Sequence, residues 1–356
     1  MNSRMQLRLR NLLIVIILLA AFVIPAYLFF NSKTDGDIVS VFESVTEVFN
    51  TPTPSNFAFR EITIPYLRNK KYESSLGQLT KVGENQNYTT YLTSYVSDGL
   101  KINGLLTRPK VQDVGDGLPA IVFVHGYIPP EEYRTTQNYS AYVDYFAKSG
   151  FVVFKIDLRG HGDSEGEAGG AYYSGDYIID TLNAYSALQK LDFVNPKKIG
   201  LWGHSMAGNI VMRTLASSPD IPAIVIWAGA GYTYSDLQAY MIQDTSYQPP
   251  PTNTVRARKR QELREAYGTF DPNHWFWKQV PATNYLSDIK GAIQLNHAVN
   301  DNVVSIEYSR NLDALLYKTT IPHELHEYPT GGHNIEGNNF TLAMRNSVEF
   351  FKNYLR

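Results

Sequence analysis

The chain of 356 residues has no cysteine at all. It therefore forms no disulfide, offers no thiolate as a nucleophile and supplies no sulfur ligand to a metal ion. Charge of either sign is not in surplus: 32 Lys and Arg stand against 34 Asp and Glu, a formal net charge of −2. Without a basic excess to neutralise a row of phosphates, a nucleic-acid partner is not expected. No internal repeat is present, and the segment ahead of the first clear strands is too short for a β-propeller, which needs roughly 40 residues for each of several blades. His323-Glu324-Leu325-His326-Glu327 lacks the HExxH spacing of a zinc-peptidase helix, and no motif calls for a metal or a cofactor. The 44% hydrophobic and 19% charged shares are ordinary for a globular protein and argue against both global disorder and a polytopic membrane protein. At this length one large domain with appendages accounts for the chain.

Long hydrophobic runs are scarce too, with one exception at the amino terminus. Leu12 to Phe30 carries no charge and follows Arg4, Arg8 and Arg10; as a helix it spans about 28 Å, enough to cross a bilayer. A cleavable signal peptide is the competing reading, but its apolar core is usually only about 7 to 15 residues and ends in a small-residue motif, whereas this run ends Leu28-Phe29-Phe30-Asn31. A buried soluble helix is the third. The anchor reading makes residues 1–10 a cytoplasmic tail and 11–30 a transmembrane signal anchor in contact with the lipid bilayer, and the positive-inside bias places everything beyond it outside the cytoplasm. Three N-x-S/T sequons begin at Asn87, Asn138 and Asn339; they matter only in a glycosylating host.

Beyond the anchor, Ile38, Phe42, Val45 and Phe49 fall at helical spacing ahead of a turn-rich TPTPSN stretch, so residues 31–87 read as a stalk or linker with one short amphipathic helix. From residue 88 to 356 the pattern becomes that of a main domain. Thr89–Val96 and Leu100–Thr107 flank Ser97-Asp98-Gly99, a hairpin signature. Short continuous apolar runs follow at Ala120–Val124, Phe151–Ile156, Ile199–Trp202, Ala223–Trp227 and Ala292–Leu295, as expected of parallel strands covered on both faces. Helical stretches lie between them, including Tyr177–Leu191 behind the capping candidate Ser174 and a final helix at Leu342–Leu355. Strands alternating with helices predict an α/β fold with a mostly parallel sheet and helices on both faces. Residues 231–290, rich in Tyr, Trp, Pro and charge, read as a cap insertion after the sixth strand (Ala223–Trp227), roofing the carboxyl edge of the sheet where ligands bind.

The strongest chemical signal is Gly203-His204-Ser205-Met206-Ala207-Gly208, at the point where a buried strand turns sharply into a helix. A serine on such a turn stands exposed, and the tight backbone needs small neighbours. The plainer reading is a serine that caps the helix Ala207–Ala216. A serine hydroxyl needs a base within hydrogen-bond reach and an acid fixing the base's tautomer, and in this kind of fold the chain order is Ser, Asp or Glu, then His. Asp301 follows the strand Ala292–Leu295 at the carboxyl edge, its alternative role being a helix cap before Ser305–Leu316. His333 follows Thr330-Gly331-Gly332, a loop from which its ring can reach over Ser205; its alternative is a surface histidine. His323 and His326 read as strand residues. The two backbone donors of an oxyanion hole are expected from Met206, after the nucleophile, and Tyr127, in Val124-His125-Gly126-Tyr127; His125 reads as an organiser of that loop. Asp157-Leu158-Arg159-Gly160-His161-Gly162-Asp163-Ser164 reads as structural. Tyr232, Tyr234, Trp275 and Trp277 either line a substrate pocket or pack within the insertion. Arg256, Arg258, Lys259 and Arg260 read as the solvated face of a helix, with contact to anionic lipid or substrate as the alternative.

Together SDGLKINGLLTRP, VHGY, DLRGHGDS, GHSMAG, HAVNDNVV and GGHN resemble the catalytic domain of the prolyl oligopeptidase family of serine peptidases, over about residues 88–356. The resemblance implies the α/β-hydrolase fold and an acyl-enzyme mechanism through Ser205, His333 and Asp301. It points to short peptides as substrates, with small acyl esters, as for a carboxylesterase, as the alternative; peptidases and esterases share this domain. Ala207 stands where the family has glycine, Ala298 and Ser305 replace the glycine and proline common around the acid, and the propeller that gates the larger members is missing. A catalytically silent hydrolase fold serving as a binding module is the rival from another class.

Overall fold

Apolar runs such as Ala120–Val124 become central strands because both faces of the sheet are covered, and in the computed structural model every residue of that run is fully buried. The structure describes residues 56–111, 115–243 and 255–355. The expected tail and anchor at residues 1–30, and the first part of the expected stalk, lie outside them; no helix among the described residues is long and apolar enough to cross a membrane. Everything below belongs to the compact unit Ala58–Arg356.

Nine strands form one sheet: β1 (Thr80–Glu84), β2 (Tyr88–Ser97), β3 (Leu100–Pro109), β4 (Leu118–Val124), β5 (Val152–Ile156), β6 (Val194–His204), β7 (Ala223–Trp227), β8 (Ala292–Ala298) and β9 (His323–Tyr328). Their order is β1-β2-β3-β5-β4-β6-β7-β8-β9. The pairs from β1 to β5 are antiparallel and the rest parallel. The helices are α1 (Ile64–Asn69), α2 (Ser140–Lys148), α3 (Asp176–Leu188), α4 (Ala207–Ser217), α5 (Tyr234–Tyr240), α6 (Val255–Tyr267), α7 (Glu307–Leu316) and α8 (Asn338–Tyr354). The side-chain alternation of a strand decides what each helix meets. Ala120, Val122 and Val124 share a core with α1, α3, α4 and α7, while Ile121 and Phe123 pack with α2 and α8 on the other side. The mostly parallel sheet with helices on both faces thus matches the sequence pattern.

The domain begins earlier than the expected boundary at residue 88. Thr63 accepts a hydrogen bond from the Tyr66 amide at 3.4 Å and caps α1, which has Pro65 in its first turn. Ile62, Ile64 and Leu67 are fully buried, Arg68 Nε donates to Ala216 O at 2.7 Å, and the buried Arg213 guanidinium on α4 donates to Ile62 O. β1 adds an edge strand from the same segment. Residues 58–87 are therefore part of the domain, where a stalk was expected; isolated apolar residues at 62, 64 and 67 make too short a pattern to read as core.

The aromatics of the insertion take the packing role, one of the two expected. Trp277 and Tyr232 are buried, with Trp277 set edge-on against Tyr234 and Phe270, so these aromatics pack within the insertion and against the domain. The basic run of α6 is tied down: Lys259 pairs with Asp176, Arg258 with Glu167 at 3.1 Å, and the Arg256 and Arg260 guanidinium groups lie over the rings of Tyr172 and Tyr173. Arg256, Arg258 and Arg260 are nonetheless exposed and Lys259 is half-buried, so the run lies on a solvated face, as expected, with its side chains also tied to neighbouring residues.

Leu67→Ala in the full chain is expected to cost about 2–5 kcal/mol in unfolding free energy, as for a buried leucine. A stalk residue would cost almost nothing. Chemical denaturation checks this, and a change below about 0.5 kcal/mol would return the segment to the stalk.

Candidate active site

β6 runs into α4 through Ser205, whose φ of 56° is left-handed for a residue with a side chain. The turn is held by Ser205 N–H donating to Trp227 O at 2.9 Å on the neighbouring strand and by Gly208 N–H donating to Ser205 O at 2.9 Å. Gly203 has no room for a side chain: a Cβ there would lie 2.8 Å from Ala207 O and 3.0 Å from a Val211 methyl. Ala207, where a GxSxG elbow has its second glycine, is already helical and fully buried; the extra methyl is absorbed by the core.

Asp301 leaves β8 in a turn in which its Oδ1 accepts from the amides of Val303 at 2.8 Å and Val304 at 3.0 Å. Its Oδ2 accepts from His333 Nδ1 at 2.8 Å and from His297 Nε2 at 3.2 Å. The carboxylate side chain is fully buried. Burial pushes the acid upward, but the bonds from His297 and His333 outweigh it and hold the group well below its ordinary value. His333 sits in a 3-10 turn, Gly332–Asn334, and the amide of Gly332 donates to Asn300 Oδ1 at 3.0 Å. With Nδ1–H committed to Asp301, the lone pair of its ring is on Nε2.

Ser205 and His333 line one cleft of about 580 Å³ with Tyr127, Tyr139, Tyr142, Val303, Glu336 and Phe340 among its walls. Tyr127 is on that wall, and Met206 is buried at the start of α4. The structure thus brings Ser205, Asp301, His333 and Tyr127 to one edge of the sheet, with Met206 next to the serine. No described residue of the insertion lines that cleft, but the insertion reaches its wall: Gln243 N–H donates to Val303 O at 2.9 Å and Ile242 bridges to Val304; residues 244–254 lie outside the described residues. His323 and His326 are on β9, as read. His125 is fully buried, stacked on Tyr133 at 4.4 Å. Arg159 forms a buried pair with Asp180 at 2.7 Å, which Ser97 Oγ supports at 2.6 Å, in keeping with a structural role for its loop. Among the described residues no group of acids and histidines is arranged to hold a metal ion.

Two histidines were not singled out from sequence. His297 lies four residues before Asp301 and donates to it, while its Nδ1 lies 2.8 Å from Ser309 Oγ. His204, beside Ser205, bonds at both ring nitrogens, to Tyr139 and to the backbone of His333. Their adjacency to the acid and the serine in the chain was the available signal.

The fold and its motifs have known counterparts. Residues 118–248 match the family model described as serine aminopeptidase, S33. An uncharacterized peptidase of Bacillus subtilis, YtmA, is 25% identical over 276 residues, covering 75% of this chain and 95% of that protein. Among solved structures, acetyl xylan esterase 1 from Thermoanaerobacterium sp. JW/SL YS485 superposes with a TM-score of 0.54 at 20% identity, over 81% of this chain and 90% of the esterase. A puromycin-hydrolyzing peptidase of Mycobacterium tuberculosis gives 0.58 at 17% identity, over 76% of this chain and 40% of the peptidase. The chain thus spans nearly all of the first two but well under half of the last. The structural likenesses carry the α/β-hydrolase fold.

His125, His161 and His204 are buried, and burial pushes each below the ordinary histidine value of 6.5. A histidine kept neutral in the fold but free to protonate in the unfolded chain contributes stability above 6.5 that is lost as pH falls toward its folded value. Unfolding free energy is expected to decline from about pH 6.5 downward, by up to about 1.4 kcal/mol per pH unit for each such group. Denaturant titrations at about pH 7.5 and about pH 5 check the sign; equal stability at both would contradict it.

Proposed function

We propose that this serine hydrolase of the α/β-hydrolase fold cleaves short peptides through an acyl-enzyme on Ser205, with His333 as general base and Asp301 as the acid that orients it. The observation that carries the reading is the sharing of one cleft by Ser205, on its strained turn, and His333, whose Nδ1 is fixed by the buried Asp301. His333 Nε2 takes the serine proton as Oγ attacks the carbonyl, and the ionised Asp301 stabilises the imidazolium that results. The amides of Met206 and Tyr127 receive the developing oxyanion. The same proton then goes to the leaving amine, and water activated by His333 releases the acyl group. Each of these steps uses groups of the chain itself.

The cleft volume lies within the range of small-molecule sites, which favours short substrates over folded proteins. Tyr127, Tyr139, Tyr142 and Phe340 put aromatic surface on its walls, and among the described lining residues Glu336 is the one carboxylate, a group of suitable sign to face a substrate amine. A carboxylesterase acting on small acyl groups is the second reading, favoured by the four aromatic side chains on the walls. The test is kcat/KM for matched esters, aminoacyl arylamides and casein, with Ser205→Ala as control. Aminoacyl arylamides are expected to be cleaved, casein poorly, and the Ser205 variant not to turn over. Preference for simple esters would install the second reading, efficient casein cleavage would remove the size limit, and the absence of turnover of any substrate by the native chain would favour a binding module.

The run Leu12–Phe30 anchors the enzyme in a membrane with the catalytic unit on the far side from the cytoplasm, a reading supported by the arginines at 4, 8 and 10. A reporter fused at residue 356 is expected to report an extracytoplasmic location; a cytoplasmic signal would overturn the topology.

A further inference from the structure

We infer that His204 is a positioning residue that registers the base loop and the oxyanion loop against the nucleophile. The inference rests on the assignment of Ser205 and His333 above and concerns a residue that takes no part in the chemistry itself.

The geometry leaves the hydrogen positions no freedom. His204 is buried, with Nε2 at 2.9 Å from the backbone carbonyl of His333 and Nδ1 at 2.7 Å from the Tyr139 hydroxyl. A carbonyl only accepts, so Nε2 carries the hydrogen. Burial, reinforced by the neighbouring His333, pushes the His204 ring down to about 3, so it is neutral and Nδ1 holds a lone pair. Tyr139 therefore donates to Nδ1. The same hydroxyl oxygen accepts the Gly126 amide at 3.0 Å. The result is a single directed chain from Gly126 N–H through Tyr139 O–H and the His204 ring to the carbonyl of His333. It links Gly126, adjacent to the expected oxyanion donor Tyr127, with the residue that carries the base, through the side chain next to Ser205.

Three further features belong to the same arrangement. Tyr139 opens α2 at a φ of 60°, a strained backbone for a bulky residue, and this conformation accompanies the placing of its hydroxyl between the two loops. A Cβ on Gly126 would lie 2.8 Å from the Tyr139 hydroxyl and 3.1 Å from His204 Nδ1, so only glycine admits the contact. The His204 and His333 rings lie with centroids 4.7 Å apart, so a shift of one is felt by the other. A neutral imidazole suits the position because it offers one donor and one acceptor at opposite ends of a rigid ring. Asparagine keeps an acceptor near Nδ1 but does not reach the His333 carbonyl, glutamine keeps a donor near Nε2 but no acceptor for Tyr139, and neither spans both.

The test uses the full-length protein and five variants: His204→Asn, His204→Gln, Tyr139→Phe, the double variant His204→Gln/Tyr139→Phe, and Ser205→Ala. It reads the rate of labelling by a small fluorophosphonate, together with kcat and KM on whichever small ester or arylamide the native enzyme cleaves. For His204→Asn, which frees the base loop, kcat and the labelling rate are expected to fall on the order of 10-fold or more with KM within about two-fold. His204→Gln is expected to retain more of both, because it keeps the bond to His333. Combining His204→Gln with Tyr139→Phe is expected to cost less than the product of the two single losses, since both cut the same chain. A merely structural histidine would lower thermal stability without this split. Labelling within two-fold of native for both His204 variants, a rise in KM at constant kcat, or fully multiplicative losses would each overturn the inference. If the His204 variants do not fold, Tyr139→Phe decides alone: it preserves the ring packing, and an unchanged kcat overturns the proposal. Failure of the native protein to label, or labelling that persists in Ser205→Ala, would instead overturn the underlying assignment of the nucleophile.

Discussion

The buried carboxylate of Asp301 is the group on which the rest of the site depends. A charge removed from water is costly unless its lone pairs are satisfied, and here four donors converge on it: the amides of Val303 and Val304, His297 Nε2 and His333 Nδ1. Two of the four come from the turn that follows β8, and with the stronger effect of the two imidazoles they hold the acid in its ionised form. The third, His297, is fixed by Ser309 on α7 and by the Val304 carbonyl at 3.0 Å. The fourth is His333, the base of the proposed mechanism. His333 is thus oriented by a carboxylate that has little freedom to move, and the proton of its Nδ1 is assigned by that bond.

The sheet explains why these groups meet. β4, β6 and β8 run parallel with their carboxyl ends at one edge, and the segments leaving them carry Tyr127, Ser205 and Asp301. The segment leaving β9 brings His333. Each is a loop or turn on a rigid, fully covered scaffold, the usual placement for functional residues in open α/β folds. The strain at Ser205 is stored in a backbone pinned on both sides, by the bond to Trp227 and by the helix it begins. The tie from His204 to His333 and Tyr139 adds lateral bracing across elements that the sheet alone would leave as separate loops.

Much of this was legible in the chain. The continuous apolar runs marked β4, β5, β7 and β8 within a few residues, because strands buried on both faces need no alternation. GHSMAG, with its flanking strand and helix, was readable for the same local reason; chain order narrowed the histidines to His323, His326 and His333, and the strand reading of the first two left His333. What escaped depends on contacts between distant segments. Nothing local reveals that Ile62, Ile64 and Leu67 dock on α4, since six helical residues carry little periodicity, nor that the basic run of α6 meets Asp176, Glu167, Tyr172 and Tyr173. The position of the insertion is likewise set by packing: its length and aromatic content suggested a roof, and its described residues meet the acid loop at Val303 and Val304 without lining the cleft. His204 and Tyr139 are far apart in sequence, and their shared hydrogen-bond chain exists only in the fold. The apolar run at 12–30 is as plain in the sequence as the elbow, but it lies outside the described residues.

The central claim is that Ser205 forms the covalent intermediate, and the most direct measurement is the site of adduct formation. After brief reaction with a small fluorophosphonate, the native protein is digested and the modified peptide is located by mass spectrometry. The account predicts a single adduct on the hydroxyl of Ser205, with stoichiometry approaching one per chain. An adduct at any other residue, or none while a substrate is being turned over, would contradict it.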